Sequence, residues 1–434
     1  MRLIERVAVM VARLHSHGLH HADLHVGNIL LQSTDEEPQL YLIDLQSVDR
    51  VRLTKSLRWE SLVSLWHSVA PRASRTDRLR FWLTYHAALQ RTESVSREDN
   101  LSQFRNSTRF FLAGLQAELT RIDRAWRRGN RHVQRLRVAT HDIRAVAGVD
   151  REWLTRVCSD PEAVLSSTPV VKESRRHRVG TVRIPVLGRP TAAFWKRIDY
   201  GSALRYLFRF VAPTAIRRAW DAGHALLRRG IPTPRPLLMI DGVRHGSRTG
   251  GHLVTESVPG AVTLADALGS CAATPIAPSR VNREHQLVEQ TARILQRLHS
   301  HRAEHRDLKL GNWLVSIPPG QPSRTHRARS TDATRSTDAT RSTDAIWLID
   351  LDAIRWRIRG VSRRRRMQNL ARMAASCIGQ GLWRSSLGCR FLKAYLDAYP
   401  SVQRDSDWKS WYREIASRVA RKVALNQRRG RPLD

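Results

Sequence analysis

Acidic side chains are in short supply in this chain: 39 Asp and Glu stand against 74 Lys and Arg, a formal charge of +35 over 434 residues. Such a surface attracts polyanions over most of its area, so nucleic acid, acidic lipid, nucleotide and phosphorylated sugar all qualify, and charge alone does not choose among them. Cysteine is scarce as well. Cys158, Cys271, Cys377 and Cys389 lie far apart without a C-x-x-C pair, which argues against a zinc site and a disulfide framework and fits a reducing cytoplasm. Long apolar runs are missing. Stretches such as 7–11 are far too short to span a bilayer and no signal peptide opens the chain, so any membrane contact is expected to be peripheral. What is present is an ordinary globular balance, 41% hydrophobic and 26% charged, in a chain long enough for more than one core.

The chain repeats itself, and that changes how each later motif is read. Arg-Leu-His-Ser-His occupies 13–17 and again 297–301. Asp23-Leu24-His25-Val26-Gly27-Asn28 answers Asp307-Leu308-Lys309-Leu310-Gly311-Asn312, and Tyr41-Leu42-Ile43-Asp44-Leu45 answers Trp347-Leu348-Ile349-Asp350-Leu351. The second copy is longer between its two acidic motifs because Arg-Ser-Thr-Asp-Ala recurs between 329 and 345, a polar low-complexity insert that cannot build a core and reads as a disordered surface loop. Weak matching continues to Arg80-Phe81 and Tyr85 against Arg390-Phe391 and Tyr395, so the first copy is expected to end near 150. It starts at Met1 without the stretch that precedes the second motif. The expectation is either a true start upstream or a leftover half that packs against the complete domain.

Periodicity gives the coarse elements. Leu287, Ile294, Leu295 and Leu298 recur at helical spacing, predicting a helix over 284–299, while 313–315 and 346–349 are short apolar runs suited to strands. Upstream, 179–184, 192–198 and 252–256 read as strands, and 216–229 reads as a helix that stops at Gly230-Ile231-Pro232. A sheet with one helix therefore precedes a helical half, an α+β arrangement of two lobes. Phosphoryl transfer from ATP needs a base for the acceptor hydroxyl, oxygen ligands for magnesium and a cation on the nucleotide phosphates. His305-Arg306-Asp307-Leu308-Lys309-Leu310-Gly311-Asn312 has the H-R-D-L-x-x-x-N spacing, and Asp350 follows a strand ending at Ile349. An Asp and an Asn at this spacing, standing alone, more often cap a turn. The ordered set of helix, loop, strand, second acid and upstream Lys196 favours chemistry.

On these residues the sequence resembles the protein-kinase superfamily and, more narrowly, the lipopolysaccharide kinase group often called the Kdo or WaaP family, over about 170–395 in full and 1–90 in part. Ala193-Phe194-Trp195-Lys196-Arg197 looks like its lysine-bearing strand, and Gly230-Ile231-Pro232-Thr233-Pro234-Arg235-Pro236 looks like its stretch after the first helix. Ile349-Asp350-Leu351-Asp352, in place of D-F-G, and Arg366-Met367-Gln368-Asn369-Leu370-Ala371-Arg372 are similar to it too. The resemblance implies a bilobal protein-kinase-like fold preceded by a partial copy of its C-lobe: residues 1–150 for the partial copy and 165–434 for the complete domain, with an N-lobe to about 260, a C-lobe after it and a low-complexity loop at 323–345. It implies Lys196 on the ATP phosphates, Asp307 as base, Lys309 neutralising the transferring group, and Asn312 with Asp350 on Mg2+, with Mn2+ as a substitute. The hinge would be 255–258, with Glu256 and Val258 binding adenine. Two departures stand out. The glycine-rich loop is reduced to Gly180, so Arg175, Arg176 or Arg178 would cradle the phosphates, and the helix after Lys196 offers Asp221 where a glutamate partner for the lysine belongs. Asp352 reads as a third metal ligand or a loop cap, with the cap favoured. The first copy keeps Asp23, Asn28 and Asp44 but has no lysine strand or hinge, so by itself it should be inactive.

The resulting expectation is an ATP- and magnesium-dependent kinase phosphorylating a sugar hydroxyl of lipopolysaccharide core, cytoplasmic and peripheral at the inner membrane. The basic clusters 363–366 and 428–431 are more often solvated faces than sites; as sites they would meet anionic lipid, at about 1 kcal/mol per residue at a bilayer surface, or an anionic saccharide. One alternative is a Ser/Thr protein kinase, favoured by Lys309 and disfavoured by the lack of an A-P-E segment after Asp350. Another is a pseudokinase that binds anionic lipid or nucleic acid. Specific nucleic-acid recognition is not expected, since a chain this basic binds polyanions non-specifically at low salt.

Overall fold

The computed structural model describes residues 3–32, 39–69, 75–89, 119–124, 126–127, 132–138, 141–174, 176–202, 213–245, 248–273, 278–316, 344–358, 360–398 and 407–430. Arg175 and the low-complexity insert up to 343 lie outside the described residues. Contacts divide the chain into two compact units, 1–124 with 228–230, and 125–227 with 231–434. The border therefore falls before the 150–165 interval expected from the repeat, because residues 133–166 pair with and pack into the second unit. Among the described residues no helix is long and apolar enough to cross a membrane.

In the first unit, α1 (Leu3–Ser16) leads into β1 (Leu19–His21), a 3-10 turn at Val26–Asn28, β2 (Ile29–Gln32), β3 (Gln39–Leu42), a second 3-10 turn at Leu45–Ser47 and β4 (Val48–Arg50), followed by α2 (Lys55–Val69) and α3 (Arg75–Leu89). β1 pairs antiparallel with β4, and β2 with β3. Ala8, Val11, Ala12 and His15 form the buried stripe of α1, spaced three and four apart as an amphipathic helix requires. Its core is completed by Leu24, Leu62, Trp66, Phe81 and Tyr85.

The second unit is built on a seven-stranded antiparallel sheet in the order β5-β6-β10-β11-β9-β8-β7. Its strands are β5 (Val133–Val138), β6 (His141–Val146), β7 (Val170–Glu173), β8 (His177–Val186), β9 (Arg189–Ser202), β10 (Pro236–His245) and β11 (Arg248–Glu256). Two short helices, α4 (Arg151–Ser159) and α5 (Pro161–Ser166), intervene; Asp150 and Asp160 cap them by accepting the Trp153 and Ala163 N–H groups. Helix α6 (Ala215–Arg228) separates β9 from β10. The helical half holds β12 (Ala261–Thr263), α7 (Leu264–Ala273), α8 (Pro278–Ser300), β13 (Ala303–His305), a 3-10 turn at Leu310–Asn312, β14 (Trp313–Ser316), β15 (Ala345–Leu348), another 3-10 turn at Leu351–Ala353 and β16 (Ile354–Trp356). It ends with α9 (Arg363–Gly379), α10 (Ser385–Asp397) and α11 (Trp408–Arg428).

Trp195, Trp220, Trp313 and Trp411 are fully buried and tie sheet and helices into one core. At about 25 cal/mol per Å2, a buried indole of roughly 200 Å2 contributes about 5 kcal/mol before entropy is counted. Gly223 sets the approach of α6 to the site. A Cβ there would sit 2.4 Å from Pro236 Cγ and 3.3 Å from Leu351 Cδ1, so its absence lets the helix lie against the residue that follows Asp350. A cavity of about 550 Å3 in the helical half is lined by apolar side chains such as Leu268, Met373, Phe391 and Val419; Asp307, Lys196 and Asp350 are not among its walls.

Candidate active site

The loop after β13 is fixed from three sides while its acid stays exposed. β13 pairs with β16, setting Glu304 opposite Arg355 and His305 opposite Ile354. His305, with no exposed surface, places Nε2 3.2 Å from the Ile349 carbonyl and donates its backbone N–H to Asn369 Oδ1 on α9. Its burial pushes the imidazole pKa down, against the pull of Asp350 and Asp307. Leu310 N–H donates to Ser376 Oγ, again on α9. Asn312 donates its Nδ2 to the Asp307 carbonyl at 2.6 Å and accepts the Ile349 N–H on its own carbonyl, which leaves Oδ1 as its unused acceptor. The Asp307 carboxylate is 58% exposed, with Lys309 Nζ 3.8 Å away. A base for an incoming hydroxyl needs this combination of a rigid backbone and an open carboxylate.

Lys196 lies on β9 between Val179 of β8 and Leu253 of β11. Its ammonium is ion-paired with Asp350 and stands 3.5 Å from Asp352 Oδ1. Asp350 takes a left-handed conformation, φ 63° and ψ 49°, which costs a non-glycine residue of order 1 kcal/mol or more and clusters at functional sites. Burial works to raise the Asp350 carboxyl, but the Lys196 charge and hydrogen bonds from Lys196 and Asp352 bring it down to about 2. Asp352 goes the other way. Burial raises it, Lys196 opposes, and the neighbouring Asp350 raises it further. Asp352 is thus no mere loop cap but a second acid on the same lysine. Two carboxyls and the open Asn312 Oδ1 make an all-oxygen donor set suited to Mg2+, which is commonly held by one or two carboxylates and substrate phosphates; no group of three or more Asp, Glu, His or Cys forms a metal cage among the described residues.

Other expected residues fall differently. Asp221 does not reach Lys196. It sits 3.3 Å from Arg127 Nε and 3.7 Å from Arg144 NH1. Arg144, on β6 and 1% exposed, is a buried cation that would be costly without counter-charges, and Asp142 and Asp221 supply them. Glu256 closes β11 with its N–H on the Arg235 carbonyl, Ser257 N–H goes to Ala192, and the Val258 carbonyl accepts Ala261 N–H. The Val258 N–H has no partner among the described residues, the feature an adenine-binding hinge requires. Gly180 is not a phosphate-approach glycine: a Cβ there would lie 2.3 Å from Thr168 Oγ1, so side-chain packing demands it. His177, at the β7–β8 turn, was missed by sequence reading. Its pKa is lowered by burial and then by Lys196, with Asp350 opposing; the long-range pairing of β8 with β9 sets it opposite Ile198, two residues from Lys196. The basic cluster 363–366 is largely used internally. Arg363 pairs with Glu414, Arg365 with Glu304, and Arg363 and Arg366 lie over the Trp411 ring.

The first copy repeats the main bonds of the loop. His21 Nε2 lies 3.2 Å from the Ile43 carbonyl, Asn28 Nδ2 donates to the Asp23 carbonyl at 2.9 Å, Ile43 N–H donates to Asn28 O, and Asp44 has φ 60° and ψ 46°. Asp44, however, accepts from Ser47 Oγ and Gln46 Nε2, and these hydrogen bonds hold its carboxyl low. Gln46 occupies the place of Asp352, a difference visible in the aligned copies. His25, in the place of Lys309, accepts the Gly27 N–H on Nδ1 and lies 3.5 Å from Asp23.

The family model described as lipopolysaccharide kinase (Kdo/WaaP) family matches residues 1–85 and 170–395, so it falls on both copies. No curated protein matches the chain. Among solved structures, one titled "WaaP in complex with acyl carrier protein" aligns with 63% of this chain and 97% of its own at 21% identity and a TM-score of 0.39. With matched segments spanning well over half of the sequence, the chain belongs to the lipopolysaccharide kinase (Kdo/WaaP) family.

Proposed function

We propose that the second unit transfers the terminal phosphoryl group of ATP to a sugar hydroxyl of lipopolysaccharide core, with the first copy, which has Gln46 in the place of Asp352, taking no part in catalysis. The observation that carries this reading is the convergence of Lys196, Asp350 and Asp352 from strands and a loop far apart in sequence. Membership of a lipopolysaccharide kinase family supports the acceptor class. Asp307 would accept the hydroxyl proton from its exposed position, while Asn312 keeps the loop in register through its bond to the Asp307 carbonyl. Lys196 would hold the nucleotide phosphates, and the Val258 N–H would donate to adenine. Asp350, Asp352 and Asn312 Oδ1 would hold magnesium, which supplies charge neutralisation on the phosphoryl oxygens. The first copy would be a partial C-lobe: it retains the loop and carries Gln46 in place of the second acid. Work at the inner face of a membrane follows from a lipid-linked acceptor.

Incubation with labelled ATP and magnesium tests this. Label is expected on core oligosaccharide and absent from a panel of acidic and basic proteins. Label on protein alone would replace the reading with a protein kinase, and no magnesium-dependent ATP binding would replace it with a pseudokinase.

A further inference from the structure

The residues assigned so far leave four guanidiniums around the same loop without a role. Arg218 of α6 and Arg355 of β16 donate to one oxygen, the Asp352 carbonyl, at 3.4 and 2.7 Å, so two cations crowd a single acceptor. Glu304, which faces Arg355 across the β13–β16 ladder, forms its ion pairs with Arg357 and Arg365 instead. Arg306 directly precedes Asp307; its N–H is bound to the Ala353 carbonyl and its side chain is exposed. Arg372 is half-buried on α9, three residues after Asn369 and four before Ser376. Residues at that spacing share a helix face, and this face receives the His305 and Leu310 N–H groups. Arg372 therefore lies along the segment in whose middle Asp307 sits.

None of the four has a carboxylate ion-pair partner among the described residues. Burial lowers the Arg355 pKa, and the charges of Arg218 and Arg306 lower it further while Asp352 opposes; burial lowers Arg372, with Glu304 and Asp307 opposing and Arg306 adding to the shift. Like charges gathered without a paired carboxylate destabilise the fold. The first copy supplies an internal control. Ala22 stands where the second copy has Arg306, and Asp49, facing His20 in the β1–β4 ladder, stands where it has Arg355. The copy that carries Gln46 in place of the second acid lacks Arg306 and Arg355 too, although its loop keeps the same histidine and asparagine bonds.

We propose that Arg306, Arg372, Arg355 and Arg218 form a receptor for an oxyanion carried by the acceptor, a carboxylate or phosphate close to the hydroxyl presented to Asp307. This rests on the kinase reading above. Guanidinium suits the task because its planar donors match both anions in bidentate geometry. Neutral sugars would then be poor acceptors, and the arginines would orient an anionic sugar as well as attract it.

The test uses the full chain and core oligosaccharide in three forms: intact, with carboxylates reduced to alcohols, and with phosphates removed. Arg372→Gln should raise KM for the intact acceptor about 10- to 100-fold, the loss of a charged hydrogen-bonded contact, with KM for ATP unchanged. Wild type should show the same rise on whichever form has lost the recognised oxyanion, and Arg372→Gln should be indifferent to that loss. An Arg372→Gln enzyme whose acceptor KM equals wild type, or rises equally for all three forms, overturns the receptor. A second arm needs no acceptor. With magnesium–ADP saturating, sulfate should raise the melting temperature of wild type and not of Arg372→Gln; equal shifts in both also overturn it. Absence of transfer to every oligosaccharide by wild type would instead sink the kinase reading, and the sulfate arm would still decide the receptor.

Discussion

In the second copy Asp350 faces Lys196 and Asp352; in the first, Asp44 holds the same left-handed backbone and faces Gln46 and Ser47. The two loops share the buried histidine on an isoleucine carbonyl and the asparagine on the acid's own carbonyl. Their helices also match: His15 and His299 each place Nδ1 2.7 Å from a tyrosine hydroxyl, Tyr85 and Tyr395. What the copies share is what the fold of the loop needs, since buried polar groups must be bonded. What they do not share is what the proposed transfer would use: a second carboxyl held by an ammonium, and the arginines near Asp307. Only the second set would separate a catalyst from a scaffold, and a loop motif alone does not reveal it.

The largest expected contrast is at the acids. Asp350→Asn should cut transfer by about 10^3-fold or more, the scale of removing a preorganised electrostatic group, whereas Asp44→Asn should leave the rate unchanged; single-turnover assays of both variants compare them directly. Asp221→Asn sharpens the account of the second unit. It should lower stability by roughly 3 kcal/mol because Arg144 loses a counter-charge in a buried setting, read as a fall in the urea midpoint, while KM for ATP stays at the wild-type value. A large rise in that KM would mean that Asp221 serves Lys196 after all.

Acid should weaken both copies. His15 and His299 are held neutral at pKa values lowered to about 4, chiefly by burial. The unfolded chain takes up their protons below about 6.5, so stability is full above that pH and falls as pH drops toward 4, by roughly 1 to 2 kcal/mol per pH unit for each histidine. Urea melts at pH 7.5 and 5 should show the loss, and His299→Gln should flatten the slope. The smallest effect is at the end of α8. Arg302 adopts φ 62° where the first copy has Gly18 at φ 69°, so Arg302→Gly should stabilise by up to about 1 kcal/mol, less the bond its guanidinium makes to the Ile358 carbonyl.

Local signals were legible in the sequence and distant ones were not. The helix expected over 284–299 is present as part of α8, and the strands at 179–184, 192–198 and 252–256 lie within β8, β9 and β11, because period and turn residues are local properties. β10 escaped notice since Leu237, Leu238, Met239 and Ile240 are all buried and leave no alternation to read. β5 and β6 escaped because the repeat drew the border near 150, and with them went Arg144, the residue that claims Asp221. Asp352 was half-legible: the exchange with Gln46 marks it, but its direction toward Lys196 depends on the packing of the loop against β9. The arginines beside Asp307 were lost in a sequence rich in Arg throughout, where only position in space distinguishes an unpaired cation from a solvated one.

The most direct measurement of the central claim is a paired transfer assay of Asp307→Asn and Asp23→Asn, with magnesium–ATP binding followed in the same samples. The account predicts that Asp307→Asn loses about 10^2- to 10^4-fold in rate, the range for a general base, with ATP binding intact, and that Asp23→Asn matches wild type. Full activity in Asp307→Asn, or loss of activity in Asp23→Asn, would contradict it.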